Sequence, residues 1–344
     1  MSLILPQHYK LKLLPETTEV AIKLIKDSFQ QLLSENLNLR RVTAPLFVTA
    51  DSGLNDNLNG TERPVTFNVT ALGGREMEIV HSLAKWKRAK LADYDIEPGY
   101  GLYTDMNALR VDEELDNIHS IYVDQWDWEQ TISPEMRTTA YLHSTVQKIY
   151  DAIKATERLV FKTFPHITPQ LPDKLTFIHS QELLNRYPHL SPRQREAAIA
   201  REVGAVFITG IGAPLSDGTP HDHRAPDYDD WTTPNEQGFP GLNGDLVVWN
   251  RVLQIPFELS SMGIRVDAPT MLKQLEAAGC KERSCLPFHR SLLQGQLPLS
   301  IGGGIGQSRL CMLLLQKAHI GEVQVSCWPE SHIAQCRKAG ITLL

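Results

Sequence analysis

The stretch 121–129 leaves the chain little freedom. Its alternation places Ile121, Val123, Gln125, Asp127 and Glu129 on one face of a strand, and Tyr122, Asp124, Trp126 and Trp128 on the other. Gln125 and Asp127 thus share a face with apolar residues. Either that face is solvated and carries a surface salt bridge, or it is buried and every polar group on it has a partner. Just upstream, Leu109-Arg110-Val111-Asp112-Glu113-Glu114 and a short loop complete what reads as two strands and their connection.

Further strands are expected at 65–70, 76–81, 101–109, 119–128, 204–209, 245–249 and 255–266, mostly joined by loops or hairpins rather than by alternating helices. Helices are expected at 17–35, 83–92, 135–163, 181–186, 191–203, 268–279 and 307–317. The first is amphipathic, with Val20, Ile22, Leu24, Ile25, Phe29, Leu32 and Leu33 at helical spacing. It runs into a β-rich stretch, 40–48, that Pro45 restricts to an edge or an interface. The fold class is therefore α/β (α+β), a central antiparallel sheet flanked by helices rather than a doubly wound parallel one. Residues 210–243, rich in Gly, Pro and Asp, read as a long functional loop. No repeat or linker divides the chain, so one domain over 1–344 is expected.

Several chemistries lack their usual signature. There is no Gly-x-x-x-x-Gly-Lys-[Ser/Thr], no Gly-x-Gly-x-x-Gly, no His-Glu-x-x-His and no Gly-x-Ser-x-Gly. A net charge of -6 and a pI near 6.1 lack the basic field of a nucleic-acid-binding protein. No stretch approaches the ~18 apolar residues of a membrane span. Five cysteines, all within the last 65 residues, cannot pair completely within the chain, which favours a reducing compartment, the cytoplasm.

Other segments carry chemistry. Gly302-Gly303-Gly304-Ile305-Gly306-Gln307-Ser308-Arg309 enters an apolar helix. Bare glycines let a strand approach a flat ligand, and Arg309 can meet a base or a phosphate, although a glycine turn before a core helix explains the same letters. Asp245 and Glu258, expected on neighbouring strands, could share Mg²⁺ with phosphate oxygens, or be edge-strand charges. The loop 51–60 is dense in carboxylates and amides, more often turn chemistry than a site. His221-Asp222-His223-Arg224 is a weak metal pattern and reads better as a substrate loop.

Taken together these segments resemble the three signatures of class II aminoacyl-tRNA synthetases. Helix 17–35 leading to Pro45 is similar to the first, which builds a dimer interface in that family. Arg110 through Asp127 is similar to the second, and Gly304 through Arg309 to the third. The segments 81–88, 123–129, 224–231, 241–250 and 257–267 resemble more narrowly the ammonia-dependent asparagine synthetase (aspartate–ammonia ligase) family, over about residues 10–330. Two features depart from the pattern: Asp112 stands where most class II enzymes carry Glu, and the cysteine-bearing C-terminal stretch has no counterpart.

The resemblance implies a homodimer with a class II synthetase-like catalytic domain. It implies substrates L-aspartate, ammonia and ATP, with Mg²⁺, and neither nucleic acid nor membrane as partner. Aspartate's β-carboxylate would attack the α-phosphorus of ATP, and ammonia would then displace AMP from the β-aspartyl adenylate. By position, Arg110 would meet the α-phosphate, Gln125 the β-carbonyl oxygen and Asp56 the ammonia. His81, Ser82, Lys87, Asp127, Arg224, Asp229, Ser261 and Arg265 would surround the amino acid, with Asp127 suited to its ammonium and Lys87, Arg224 or Arg265 to its α-carboxylate. Arg110, Asp245, Glu258 and Arg309 would hold the nucleotide, Asp245 and Glu258 through Mg²⁺. The alternatives are an aspartyl- or asparaginyl-tRNA synthetase-like paralogue and a non-catalytic protein that binds an amino acid or adenylate.

Overall fold

In the computed structural model, which describes residues 3–55 and 62–344, the first amphipathic pattern runs as α1 (Pro15–Leu37). Pro15 occupies its first turn, where a missing N–H forfeits no helical hydrogen bond, and Asn38 closes it in the left-handed conformation at φ 52°. Ala21, Ile25, Phe29, Leu33 and Leu37 recur every four residues and form one buried stripe.

The chain continues through β1 (Leu39–Arg41), β2 (Phe47–Thr49), β3 (Thr66–Val69), β4 (Arg75–Ile79), α2 (Ala84–Asp93), β5 (Gly101–Leu109) and β6 (Tyr122–Thr131). There follow α3 (Thr139–Thr163), β7 (Thr176–His179), α4 (Ser180–Arg186), α5 (Pro192–Val203), β8 (Ala205–Thr209), β9 (Asn243–Asn250) and β10 (Ile255–Ile264). Last come α6 (Ala268–Ala277), α7 (Pro287–Leu293), β11 (Ser300–Gly306), α8 (Gln307–Leu314) and α9 (Glu330–Lys338).

Eight strands form one sheet in the order β1-β5-β6-β11-β10-β9-β8-β7. Its interior pairings are antiparallel, whereas β1 joins β5 and β7 joins β8 in parallel, so the expected antiparallel sheet has parallel edges. A separate antiparallel sheet has the order β2-β4-β3. The β-rich stretch 40–48 is thus divided: β1 is an edge of the large sheet, β2 an edge of the small one, and Pro45 lies between them. The expected loop at 210–243 is observed. Besides isolated bridges such as Asp229 to Arg265 it is held by side chains of its neighbours, among them Gln274, whose Nε2 donates to the carbonyls of Pro226 and Asp229 at 3.0 and 2.9 Å.

Packing decides between the two readings of β6. Trp126 and Trp128 are completely buried beneath α1, with the rings of Phe29 and Trp126 4.7 Å apart. Leu142, Val146, Ile149 and Ile153 of α3 join the same core. On the opposite face Asp127 and Glu129 are 3% and 0% exposed, so that face is not solvated and its charges need partners.

Four elements escape the sequence pattern. β7 is a half-buried edge strand, α7 begins at a proline, and α9 buries only Cys336. The fourth, β11, lies in the glycine cluster whose letters fit either a strand approaching a flat ligand or a turn before a core helix, and it is a strand paired on both sides. Helix α3 starts later than expected because a 3₁₀ turn at Pro134–Met136 precedes it and Thr138 caps it, accepting from Tyr141 N at 3.2 Å. No helix among the described residues is long and apolar enough to cross a membrane.

The bare strand has a geometric cause. Gly302, Gly304 and Gly306 lie opposite Glu129, Asp127 and Gln125. A Cβ at Gly302 would stand 1.9 Å from Glu129 Oε2, and one at Gly304 2.4 Å from Gln125 Oε1. The polar side chains of β6 therefore lie across β11 in space that any larger residue would fill. Gly302→Ala is expected to destabilise the fold by about 2 kcal/mol or more in urea unfolding, the range for forced overpacking; a variant with unchanged midpoint and slope would contradict this packing.

Candidate active site

The polar face of β6 is partnered by residues from four other elements, and together they form one chain of alternating charge. Lys87 of α2 ion-pairs with Asp127 and stands 3.8 Å from Glu129. Glu129 accepts from Arg265 Nε at 3.0 Å and Nη2 at 2.9 Å, and from Ser300 Oγ at 2.8 Å. Arg265 also pairs with Asp229, which lies 3.7 Å from Arg224 Nε. Arg224 in turn pairs with Asp245 and donates to Ser261 Oγ at 2.8 Å. Asp127–Lys87–Glu129–Arg265–Asp229–Arg224–Asp245 is thus continuous and almost wholly shielded from solvent.

Burial and pairing pull these groups in opposite directions. Burial drives the Glu129 carboxyl upward, but the charge and hydrogen bonds of Arg265, with Lys87 beyond, leave its pKa below the ordinary value. For Lys87, burial prevails over Asp127 and Glu129 and holds the pKa down. Asp229 is raised by burial despite Arg265 and Arg224. Asp245 is raised well above the usual carboxylate range by burial, against Arg224 and helped by the charge of Glu258. Both arginines remain charged, since the paired carboxylates outweigh burial.

This chain forms one side of a cavity of about 420 Å³. His81, Ser82, Asp127, Arg224, Asp229, Ser261 and Arg265 reach its wall, so most residues expected around an amino acid do converge. Arg110, Gln125, Glu258 and Arg309 line it too, displaced along the sheet. Gln125 pairs with Gly306, against which Arg309 packs, whereas Asp127 pairs with Gly304. Arg110 follows the last pair of β5 and β6, Leu109 with Tyr122. Arg309 Nη1 donates to the Glu258 carbonyl at 3.0 Å, and its guanidinium lies 5.9 Å from the Phe257 ring centroid. Among the described residues the Arg110 guanidinium makes a single loose ion contact, 4.0 Å to Glu113. Asp112, the unusual residue of its segment, is held by Arg63 Nε at 3.0 Å.

Two expected residues stand behind the wall. Lys87 gives its three ammonium donors to Asp127, Trp128 O at 2.9 Å and Gly303 O at 3.1 Å, and so fixes Asp127. Asp245 is buried behind Arg224. Asp56 lies outside the described residues. Glu129 shares the polar face in the sequence pattern without an expected role; its place in the same period-two series as Gln125 and Asp127 is the signal that marks it. A second buried hub was not foreseen: Asp227 Oδ2 receives Lys85 Nζ at 3.0 Å and lies 2.9 Å from His289 Nε2, tying α2, the long loop and α7 together.

Asp245 and Glu258 offer hard oxygen ligands on adjacent strands, close enough for one charge to shift the other's titration. Glu258, on the cavity wall, fits Mg²⁺ when phosphate oxygens complete the shell, whereas Asp245, paired with Arg224 behind the wall, does not reach it. His221 is engaged instead with Glu196 Oε1 at 3.1 Å, while His223 lines the cavity.

Glu129→Gln tests the charge chain. It leaves Arg265 with a neutral partner and is expected to cost about 3 kcal/mol at neutral pH, as for breaking a buried pair. Because the folded pKa of Glu129 lies below its unfolded value of about 4.3, its contribution is full above that pH and lost as pH falls through the depressed folded value. The stability gap between wild type and variant should therefore close in acid; a gap independent of pH would contradict the pairing.

Comparison with known proteins bears on this geometry. A family model described as aspartate-ammonia ligase matches residues 16–340. The chain is 58% identical over 342 residues to the aspartate–ammonia ligase of Parabacteroides distasonis, covering 99% of each chain. It is 56% identical over 342 residues to that of Clostridium perfringens, again covering 99% of both. Among solved structures, the asparaginyl-tRNA synthetase of Entamoeba histolytica superposes with a TM-score of 0.63 at 15% identity, over 92% of this chain and 69% of that one. The aspartyl-tRNA synthetase of the same organism gives 0.61 at 14%, over 89% and 58%. These last two share the fold.

Proposed function

The chain belongs to the aspartate–ammonia ligase family, enzymes that make asparagine from aspartate and ammonia, and we propose that it does so in two half-reactions within the cavity just described. The observation that carries this reading is the cavity's division: paired carboxylates and guanidinium groups at one end, the lightly engaged Arg110 and Arg309 at the other.

Aspartate carries one ammonium and two carboxylates. Asp127, locked by Lys87, and Asp229 receive the ammonium; Arg224 and Arg265 receive the α-carboxylate, with Ser82, His81 and Ser261 closing around the remainder. This leaves the β-carboxylate directed toward Arg110. Its oxygen attacks the α-phosphorus of ATP, forming the acyl-phosphate bond as the bond to pyrophosphate breaks. Arg110 offsets the charge that grows on the α-phosphate, a role suited to a guanidinium that has not spent its donors on a tight partner. Arg309 lies against the nucleotide.

Glu258 would hold Mg²⁺ together with phosphate oxygens, and the ion would supply charge neutralisation on the polyphosphate. In the second half-reaction ammonia attacks the β-carbonyl carbon, AMP leaves with the bonding electrons, and the surplus proton passes to a base. Gln125 donates to the carbonyl oxygen, and Asp56 attracts ammonium and accepts its proton. The structural likeness to class II synthetases, including one solved with asparaginyl-adenylate, supports an adenylate route.

Asparagine, AMP and pyrophosphate should form together from aspartate, ATP, Mg²⁺ and ammonium without tRNA, and appearance of ADP would exclude the adenylate. Arg110→Ala should slow aspartate-dependent pyrophosphate exchange by about 10²-fold or more. Asp56→Asn should spare that exchange and slow asparagine formation. Equal loss of both activities in Asp56→Asn would remove Asp56 from the ammonia step.

The enzyme acts as a homodimer in the cytoplasm under this proposal. The five free cysteines suit a reducing compartment, and Leu46 and Phe47, beside Pro45, are 49% and 43% exposed. Sedimentation should report a dimer, and Leu46→Asp with Phe47→Asp should shift it to monomer; a wild-type monomer with full activity would contradict this assembly.

A further inference from the structure

Helix α8 starts where the bare strand β11 ends, yet it has no capping side chain of its own, since Gly306 stands at its N-cap. The cap comes from another element. Asp124, next to Gln125 on β6 and buried, accepts from Ser308 N at 3.1 Å with one oxygen and from Ser308 Oγ at 2.8 Å with the other. An acceptor for an N–H of the first turn is what a capping residue supplies, and a carboxylate also interacts favourably with the positive end of the helix. Lys26 Nζ of α1, 3.0 Å from Oδ2, and Gln324 Nε2, 3.3 Å from Oδ1, hold the carboxylate in place.

Two consequences follow. A glycine-rich strand entering a helix has the form of an anion cradle, but here the helix end already holds a carboxylate, which repels phosphate. The group left to meet the nucleotide is Arg309, the residue after Ser308. Its side chain packs over Gly306, where an added Cβ would stand 3.1 Å from Arg309 Cβ, and it donates to Glu258 O at 3.0 Å on the cavity wall. Asp124 borders the same cavity, but both its oxygens are taken by protein donors, so it acts through what it holds. It joins the first turn of α8 to the strand that carries Gln125, and a helix end without a cap frays.

We propose that Asp124 is a positioning residue for ATP: by capping α8 from β6 it fixes the backbone from which Arg309 reaches the nucleotide. The inference rests on the reading of Arg309 given above. A guanidinium held in place meets its ligand without first being ordered, and once the anchor is lost that ordering is charged to binding. The effect therefore falls on ATP. Aspartate is met by Asp127 and the residues paired beyond it, none of which touches the Asp124 carboxylate.

The test is aspartate-dependent pyrophosphate exchange by the full-length enzyme. Asp124→Ala should raise KM for ATP by about 10-fold, the scale of a lost cap, and leave KM for aspartate within about 2-fold. Asp124→Asn, which keeps the shape and one acceptor for Ser308 N, should raise KM for ATP by about 3-fold, and it replaces the alanine variant if that does not fold. The deciding measurement is a double variant: in an Arg309→Ala background, Asp124→Ala should lower kcat/KM for ATP by less than about 2-fold. An unchanged KM for ATP, or equal rises for ATP and aspartate, overturns the proposal, since a general packing role does not single out one substrate. So does a full further loss in the Arg309→Ala background, because Asp124 would then act independently of Arg309. If Arg309→Ala alone leaves kcat/KM for ATP unchanged, the underlying reading of Arg309 fails and the inference with it, an outcome that the single variant identifies by itself.

Discussion

The structure depends on seven charges that have almost no water. Asp127, Lys87, Glu129, Arg265, Asp229, Arg224 and Asp245 come from α2, β6, the long loop, β9 and the end of β10, and each pairs with its neighbour in that series. Ion pairs out of water add little net stability compared with apolar packing, but losing one member leaves another stranded. The arrangement therefore specifies geometry more than it adds stability. It fixes the relative positions of carboxylate and guanidinium groups before any ligand arrives, which is what a site for a doubly acidic amino acid requires.

Everything nearby accommodates that chain. On the core side of β6, Trp126 and Trp128 pack beneath α1 and hold the strand flat against its apolar layer. On the polar side, β11 is stripped to glycine so that Gln125 and Glu129 can lie across it. Helix α2 contributes charge where a surface helix would contribute apolar side chains: Lys85, Lys87 and Arg88 are all buried. Arg88 is committed to backbone, donating to Pro298 O at 2.9 Å and Val266 O at 2.7 Å, which ties the helix to the segments flanking β11 and α6.

Local periodicity made much of this legible. The stripe of α1, the two-faced β6 and the loop at 210–243 are written in neighbouring residues, and the structure bears them out. Pairings between distant segments were not legible. Nothing near Glu129 in the sequence announces Arg265, 136 residues away, and nothing near Lys87 announces that the Gly303 carbonyl will accept one of its hydrogen bonds. Glycine's poor strand propensity concealed β11, which is a strand because both neighbours supply hydrogen bonds. The hub at Asp227 was hidden for the same reason, its partner His289 lying 62 residues away.

The central claim is that the charged end of the cavity presents aspartate's β-carboxylate to the α-phosphorus of ATP. Isotope transfer tests it most directly. With ¹⁸O in both oxygens of the β-carboxylate, mass spectrometry of the products should find one labelled oxygen in AMP and the other in the amide carbonyl of asparagine, with none in pyrophosphate. Label in pyrophosphate or inorganic phosphate, or AMP free of label, would contradict the account.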